Sequence, residues 1–366
     1  MYIAKAEEGY QPPSIYVEDK LYSDFNLHTV IKQNLARKGY KYPTVIQDRT
    51  IPVISEGHDV LGLASTGSGK TNAFLIPMLD KTIRRQSDRC LIIVPTRELA
   101  VQIQDEFRTL AAGSRVHSTV VIGGASMGAQ IGNLRRNPQF VIGTPGRLKD
   151  LFERKVLDLS QFNNIVLDEV DRMLDMGFVP VITFLISKLP QDRQSLFFSA
   201  TMSRDAERIA HTLLRDPVTI QIEKEAAHKN VHQDIVPVSS NDEKVTVLSK
   251  LLSQDDFSKV LVFSRTKHGA DRLSRRLSQN GHKVDSIHGG KTQNRRLRVL
   301  SEFRSNRINV LIATDVAARG LDIENVSHVI NYDEPENYKD YIHRIGRTGR
   351  AGKAGIALTF VVGTAS

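Results

Sequence analysis

Tryptophan is absent from these 366 residues, cysteine occurs once, and aromatic residues make up only 6%. A single thiol excludes an intrachain disulfide and any cysteine-based metal site. Cys90, inside the apolar run Cys90-Leu91-Ile92-Ile93-Val94, reads as buried packing. So few aromatics, none interleaved with basic residues in a stripe, argue against a platform that stacks nucleobases. No run of about eighteen apolar residues occurs, so no membrane span is expected. The opening Met1-Tyr2-Ile3-Ala4-Lys5-Ala6-Glu7-Glu8 has no apolar core of signal-peptide length. The expected location is the cytoplasm.

What is present is a hydrophobic content of 40%, enough for two cores of ordinary size, and a net charge of +9. Residues 231–366 contribute 21 basic and 15 acidic side chains, so the larger part of the surplus lies there. Such a balance permits a polyanionic partner without demanding one. Short apolar runs alternate with amphipathic stretches, the pattern of parallel α/β sheets. Strands are expected at 59–63, 90–94, 119–122, 140–142, 165–167, 195–198 and 218–222. After the polar stretch 223–230 they resume at 234–238, 260–263, 284–287, 310–313, 328–331 and 357–361, with helices at 267–280 and 292–305 between them. The reading is an N-terminal extension (1–20), a first α/β domain (21–222), a linker (223–230) and a second domain of similar build (231–366).

Val166-Leu167-Asp168-Glu169-Val170-Asp171 runs an apolar strand into adjacent carboxylates. At a phosphate-processing site Asp168 reaches Mg²⁺, directly or through water, and Glu169 orients the water that attacks a γ-phosphate. Asp171 lies too far along to be a third ligand but close enough to bond a neighbouring loop. Upstream, Ala64-Ser65-Thr66-Gly67-Ser68-Gly69-Lys70-Thr71 follows a strand and opens a helix. Its glycines let backbone N–H groups point at phosphate oxygens, Lys70 bridges the β- and γ-phosphates, and Thr71 offers its hydroxyl to Mg²⁺. The usual pattern begins with glycine where Ala64 stands. Far downstream, His343-Arg344-Ile345-Gly346-Arg347-Thr348-Gly349-Arg350 spaces arginines among glycines, an arrangement suited to polyphosphate. If this run faces Lys70, the ATP site is shared by two domains and hydrolysis requires their closure.

Together these motifs resemble those of the DEAD-box RNA helicases over nearly the whole chain, which implies two tandem RecA-like domains, each a mostly parallel sheet flanked by helices. The Ala64 start is that family's own form of the phosphate loop. Gly39-Tyr40-Lys41-Tyr42-Pro43-Thr44-Val45-Ile46-Gln47 resembles its adenine-reading motif, with Phe25 upstream as the isolated aromatic. The resemblance implies that Gln47 bonds the adenine edge and that Phe25 and Tyr42 border the base. It implies that Ser199-Ala200-Thr201 links hydrolysis to unwinding by bonding Asp171 and contacting His343. It implies that Asp322, beside Gly320, holds the ATP ribose, that Asp315 belongs to the same second-domain motif, and that Arg347 and Arg350 are arginine fingers.

The family's RNA-facing loops have counterparts too. In the first domain these are Pro95, Thr96 and Arg97; Gly123 and Gly124; and Thr144, Pro145, Gly146 and Arg147. In the second they are Arg265 and Thr266; His288 and Gly289 with Gln293 and Arg296; and Thr314. Hydroxyls, backbone N–H groups and arginines suit phosphate contact rather than base reading, so sequence-nonspecific binding is expected. Val170 stands where the family usually has alanine, adding two methyl groups without moving a charge. No basic tail follows the last expected strand, leaving targeting to protein partners or to sequence beyond this end. The implied function is ATP-dependent separation of short RNA duplexes or remodelling of RNA–protein complexes. An ATP-gated RNA clamp uses the same residues, and a DNA-directed remodelling ATPase also pairs two such domains.

Overall fold

A computed structural model of the chain describes residues 14–65, 67–222, 231–318, 323, 326–349 and 355–363. Residues 15–222 form one compact unit, and the described residues from 231 onward belong to another. The stretch read as a linker lies outside the described residues. In the first unit, strands β1 (Val60–Leu63), β2 (Cys90–Ile93), β3 (Ser118–Val121), β4 (Phe140–Gly143), β5 (Asn164–Leu167), β6 (Gln194–Ser199) and β7 (Val218–Gln221) form one sheet. Its order is β3-β4-β2-β5-β6-β1-β7, with every neighbouring pair parallel. The second unit holds β8 (Val231–Val238), β9 (Val260–Phe263), β10 (Val284–Ile287), β11 (Val310–Ala313), β12 (His328–Asn331) and β13 (Gly355–Val362). These run β10-β11-β9-β12-β13-β8, again all parallel.

Parallel sheets are covered on both faces, which is why their strands read as unbroken apolar runs. Residues of β2, β4, β5, β9, β11 and β12 are buried throughout, whereas edge strand β7 buries only Ile220. Alternate residues serve opposite cores: Ile92, Val166 and Phe198 pack on one face of the first sheet, Leu91, Ile165 and Phe197 on the other. Cys90 is a fully buried thiol whose pKa burial pushes upward. The first unit begins earlier than residue 21. Tyr16 pairs with Thr44 as an antiparallel bridge, Val17 N donates to Pro43 O at 2.9 Å and Val45 N to Ile15 O at 3.0 Å. The last of these bonds satisfies the Val45 N–H at a helix start, and Ile15–Lys20 belongs to the domain and not to an extension.

Because all strands in each sheet point the same way, their carboxyl ends line one edge, where α/β folds bind ligands. Sheet order then sorts the loops. In the first unit β5, β6 and β1 are neighbours and lead into Asp168, Ser199 and the phosphate loop, while β3, β4 and β2 lead into Gly123, Thr144 and Pro95.

Candidate active site

The phosphate loop leaves β1 and ends at the helix Lys70–Arg84, whose N-cap is Gly69. Gly69 has φ +94°, a left-handed conformation that disfavours side chains, and a Cβ there would sit 2.6 Å from Gln47 Nε2. Gln47 Nε2 donates to Gly69 O at 3.0 Å, while Gln47 Oε1 accepts from Thr44 N at 2.8 Å and from the Tyr22 hydroxyl. The glutamine expected to bond adenine is thus bonded to the phosphate loop itself, and Tyr22 helps hold it. Nothing in the sequence near Gln47 points to Tyr22. Lys70 Nζ donates to Ala64 O at 2.7 Å, and Ser68 Oγ to Ser65 O at 2.8 Å, which pins the loop that also contains Gly67. Thr71 follows Lys70 in the first helical turn; Thr66 lies outside the described residues. Phe25, the isolated aromatic upstream of that motif, is 6% exposed within the first core, with Lys20 Nζ 4.7 Å from its ring centre. Tyr42, half-buried, lies under Lys41 Nζ at 4.7 Å.

Asp168 follows β5 at 2% exposure, and Glu169 N donates to its Oδ1 at 2.9 Å. Burial is the main cause pushing the Asp168 pKa up to about 7; Lys70 opposes this and the Glu169 and Asp171 carboxylates add to it. Glu169 sits at φ 53°, a left-handed backbone rare for a side-chain-bearing residue, and caps the short helix Val170–Asp175. Its Oε2 accepts from Arg172 Nη1 at 2.7 Å, a partner that sequence reading did not assign. Val170 is fully buried among Leu167, Met173 and Ile182. Asp171 meets the Ser-Ala-Thr segment as expected: Asp171 N donates to Ser199 Oγ at 3.3 Å and Thr201 Oγ1 to Asp171 Oδ2 at 3.2 Å. Ser199 Oγ donates in turn to Thr201 O at 2.7 Å.

On the other half of this edge, Thr96, after Pro95, caps the helix that begins with Arg97, and Thr144 precedes the helix that begins with Pro145, Gly146 and Arg147. The Arg97 guanidinium lies across Gly123 and Gly124, and a Cβ on Gly124 (φ +76°) would collide with Arg97 Nη1. Those glycines therefore make room for an arginine. Gln130, unremarked in the sequence, holds their loop by accepting from Ile122 N at 3.0 Å and donating to Ile122 O at 3.1 Å.

In the second unit the corresponding loops follow β9, β10 and β11. Arg265 is exposed, its N–H donating to Asp333 Oδ2 at 2.8 Å, and Thr266 caps the helix Lys267–Gln279. Thr314 follows β11, its N–H donating to Ile287 O at 3.3 Å. Two residues expected to touch RNA turn inward. His288 is 4% exposed, with Nε2 2.9 Å from Asp271 Oδ1 and Nδ1 accepting from Gly290 N, so its ring shapes the loop around Gly289. Gln293 is buried at the start of the helix Gln293–Arg304, and Arg296 on that helix is half-buried. An apolar strand followed by a polar loop gives no local sign that these side chains face the core.

The helix Tyr338–Ile345 carries His343 and leads to Arg347, whose Nε donates to His343 O at 3.3 Å. Arg344 is the hub of this unit. At 2% exposure it donates to both Asp315 oxygens (2.6 and 2.8 Å), to Asn331 Oδ1 (3.2 Å) and to Asp333 O (2.6 Å). The sites expected at Gly320, Asp322 and Arg350 lie outside the described residues. Among the described residues no cluster of three or more His, Cys, Asp or Glu could hold a metal alone, and no helix is long and apolar enough to cross a membrane.

A phosphate loop, a carboxylate pair and a serine–threonine bridge on one strand edge, followed by a second parallel-sheet unit, define a nucleotide hydrolase of RecA-like build. Residues 44–209 match the DEAD/DEAH box helicase family and residues 243–352 the helicase conserved C-terminal domain, and the chain belongs to the DEAD-box ATP-dependent RNA helicases. The ATP-dependent RNA helicase CshA of Listeria monocytogenes is 45% identical over 342 residues, covering 93% of this chain and 66% of that protein. DEAD-box ATP-dependent RNA helicase 30 of Arabidopsis thaliana is 46% identical over 351 residues, covering 93% of this chain and 59% of its own. The chain thus spans 59–66% of the length of these two relatives. Among solved structures, S. cerevisiae Dbp5 bound to RNA and ADP BeF3 aligns with a TM-score of 0.81 at 29% identity, over 94% of this chain and 90% of that one.

Proposed function

We propose that this chain is an RNA-stimulated ATPase that separates short RNA duplexes or remodels RNA–protein complexes by ATP-driven closure on the RNA backbone. The observation that carries the reading is the Asp171–Ser199–Thr201 bridge. It ties the carboxylates of β5 to the end of β6, on the same edge that carries Arg97 and Arg147. A change at the phosphate therefore has a bonded route to the segment after β6. Lys70 and the loop amides hold the phosphates of ATP, Gln47 reads the adenine, and Glu169 orients the attacking water. Mg²⁺ fits here, because Asp168 is a buried carboxylate with two further carboxylates, Glu169 and Asp171, beside it and only Lys70 opposing them; Asp168 and the Thr71 hydroxyl would be its protein ligands, and when bound it would neutralise phosphate charge. Asp322 at the ribose, and Arg347 and Arg350 at the γ-phosphate once the units close, complete the proposed site.

RNA contacts from Arg97, Arg147, Arg265, Thr266 and Thr314 go to the sugar–phosphate backbone, which makes binding sequence-nonspecific. No particular residue favours the clamp alternative. ATPase rates measured with RNA, with DNA and with no nucleic acid test the reading. Stimulation by RNA alone is expected; equal stimulation by DNA would contradict it.

A further inference from the structure

We propose that Arg172 is a positioning residue for the water-orienting carboxylate of Glu169. The inference rests on the role given to Glu169 above. Residues three apart on a helix commonly pair, and on a solvated surface such pairs hold little in place. This one differs in its setting. The side chains of Arg172 and Glu169 are 11% and 9% exposed, and Nη1 lies 2.7 Å from Oε2. Glu169 precedes its helix in a left-handed conformation, φ 53°. That backbone aims its side chain away from the direction a helical residue would take, and a three-bond side chain so placed keeps several rotamers open.

The guanidinium removes that freedom. It engages one carboxylate oxygen, Oε2, and among the described residues the bonded oxygen is that one, leaving Oε1 to accept from a water. Arg172 is itself fixed at its backbone, where its N–H donates to Asp171 Oδ1 at 3.1 Å. Asp171 is the carboxylate that Thr201 bonds. The positioning of Glu169 is therefore built on the same bridge that joins β5 to β6. A general base held within hydrogen-bond reach of its water loses rate when its rotamer is released, even though its chemistry is unchanged.

The test is single-turnover ATP hydrolysis with saturating RNA in four variants: Arg172→Gln, Arg172→Lys, Glu169→Gln and the double variant Arg172→Gln/Glu169→Gln, each with its ATP affinity and melting temperature. Arg172→Gln should slow hydrolysis about tenfold with ATP affinity within about threefold of the parent, and Arg172→Lys should recover part of the loss. In the Glu169→Gln background, Arg172→Gln should change the residual rate by less than about twofold, because its effect runs through the carboxylate. Parental or faster hydrolysis by Arg172→Gln would overturn the proposal. So would an equal loss in both backgrounds, which would mark Arg172 as merely structural. Should Arg172→Gln fail to fold, Arg172→Lys decides: a parental rate contradicts the proposal, and a partial loss at unchanged ATP affinity supports it. Near-parental turnover by Glu169→Gln would instead remove Glu169 from the mechanism, and the proposal with it.

Discussion

Asp168 is a buried carboxylate that the fold holds at the expense of stability. Its pKa rises from the ordinary 3.8 to about 7 chiefly because burial disfavours the charged form. A raised carboxylate pKa means that the fold is penalised as pH climbs above the unfolded value, with the penalty complete only above the folded one. Asp168→Asn should therefore raise the melting temperature, by more at pH 8 than at pH 5. A shift independent of pH, read by thermal unfolding at both values, would show that the ionised carboxylate is not the source. Glu169→Gln keeps shape and loses charge; hydrolysis should fall by roughly 10²-fold while ATP binding survives, as turnover and nucleotide titration would show. Val170 is packed on all sides, so Val170→Ala should lower stability by about 2 kcal/mol and leave ATPase and its RNA dependence within a few-fold. An unwinding rate altered tenfold at unchanged turnover would instead assign this position to coupling.

Among elements, the second unit concentrates its connections in one guanidinium. Arg344 joins the helix Tyr338–Ile345 to Asp315 after β11 and to Asp333 after β12, whose carboxylate in turn accepts from Ser264 Oγ at 3.1 Å and from Arg265 N. Arg344→Lys preserves the charge but not the two-pronged bond to Asp315, so RNA-stimulated ATPase should fall about tenfold, measured against a parent whose stimulation is intact. An unchanged rate would mean that the loops after β9 and β11 hold their shape without it. Arg347→Ala should likewise depress RNA-stimulated hydrolysis steeply with little effect on nucleotide affinity, since Lys70 and Gln47 belong to the other unit; ATPase assays and titration decide it. The elements themselves were legible because strands covered on both faces must be apolar along their length, and all thirteen expected strands have counterparts here. The phosphate loop and the carboxylates were legible because their chemistry depends on near neighbours in sequence. Tyr22 beneath Gln47, Gln130 in the Gly123-Gly124 loop and the inward turn of His288 were not, because each depends on a partner that only the folded chain brings close. The start of the first unit was misplaced for the same reason. Ile15 and Val17 are held by backbone bonds to Pro43 and Val45, which leave no side-chain signature.

For the whole molecule, both sheets set the loops proposed to contact RNA after three adjacent strands, β3-β4-β2 in one and β10-β11-β9 in the other. On the proposed reading each unit contributes hydroxyls, backbone N–H groups and arginines suited to phosphate, and contact with the backbone rather than the bases is the expected result. The central claim is that ATP turnover separates strands, and strand release from a short labelled RNA duplex measures it most directly. The account predicts release with ATP by the parent chain and its loss in Glu169→Gln under the same conditions. A duplex that stays intact while the parent hydrolyses ATP at an RNA-stimulated rate would contradict it and identify the chain as a clamp.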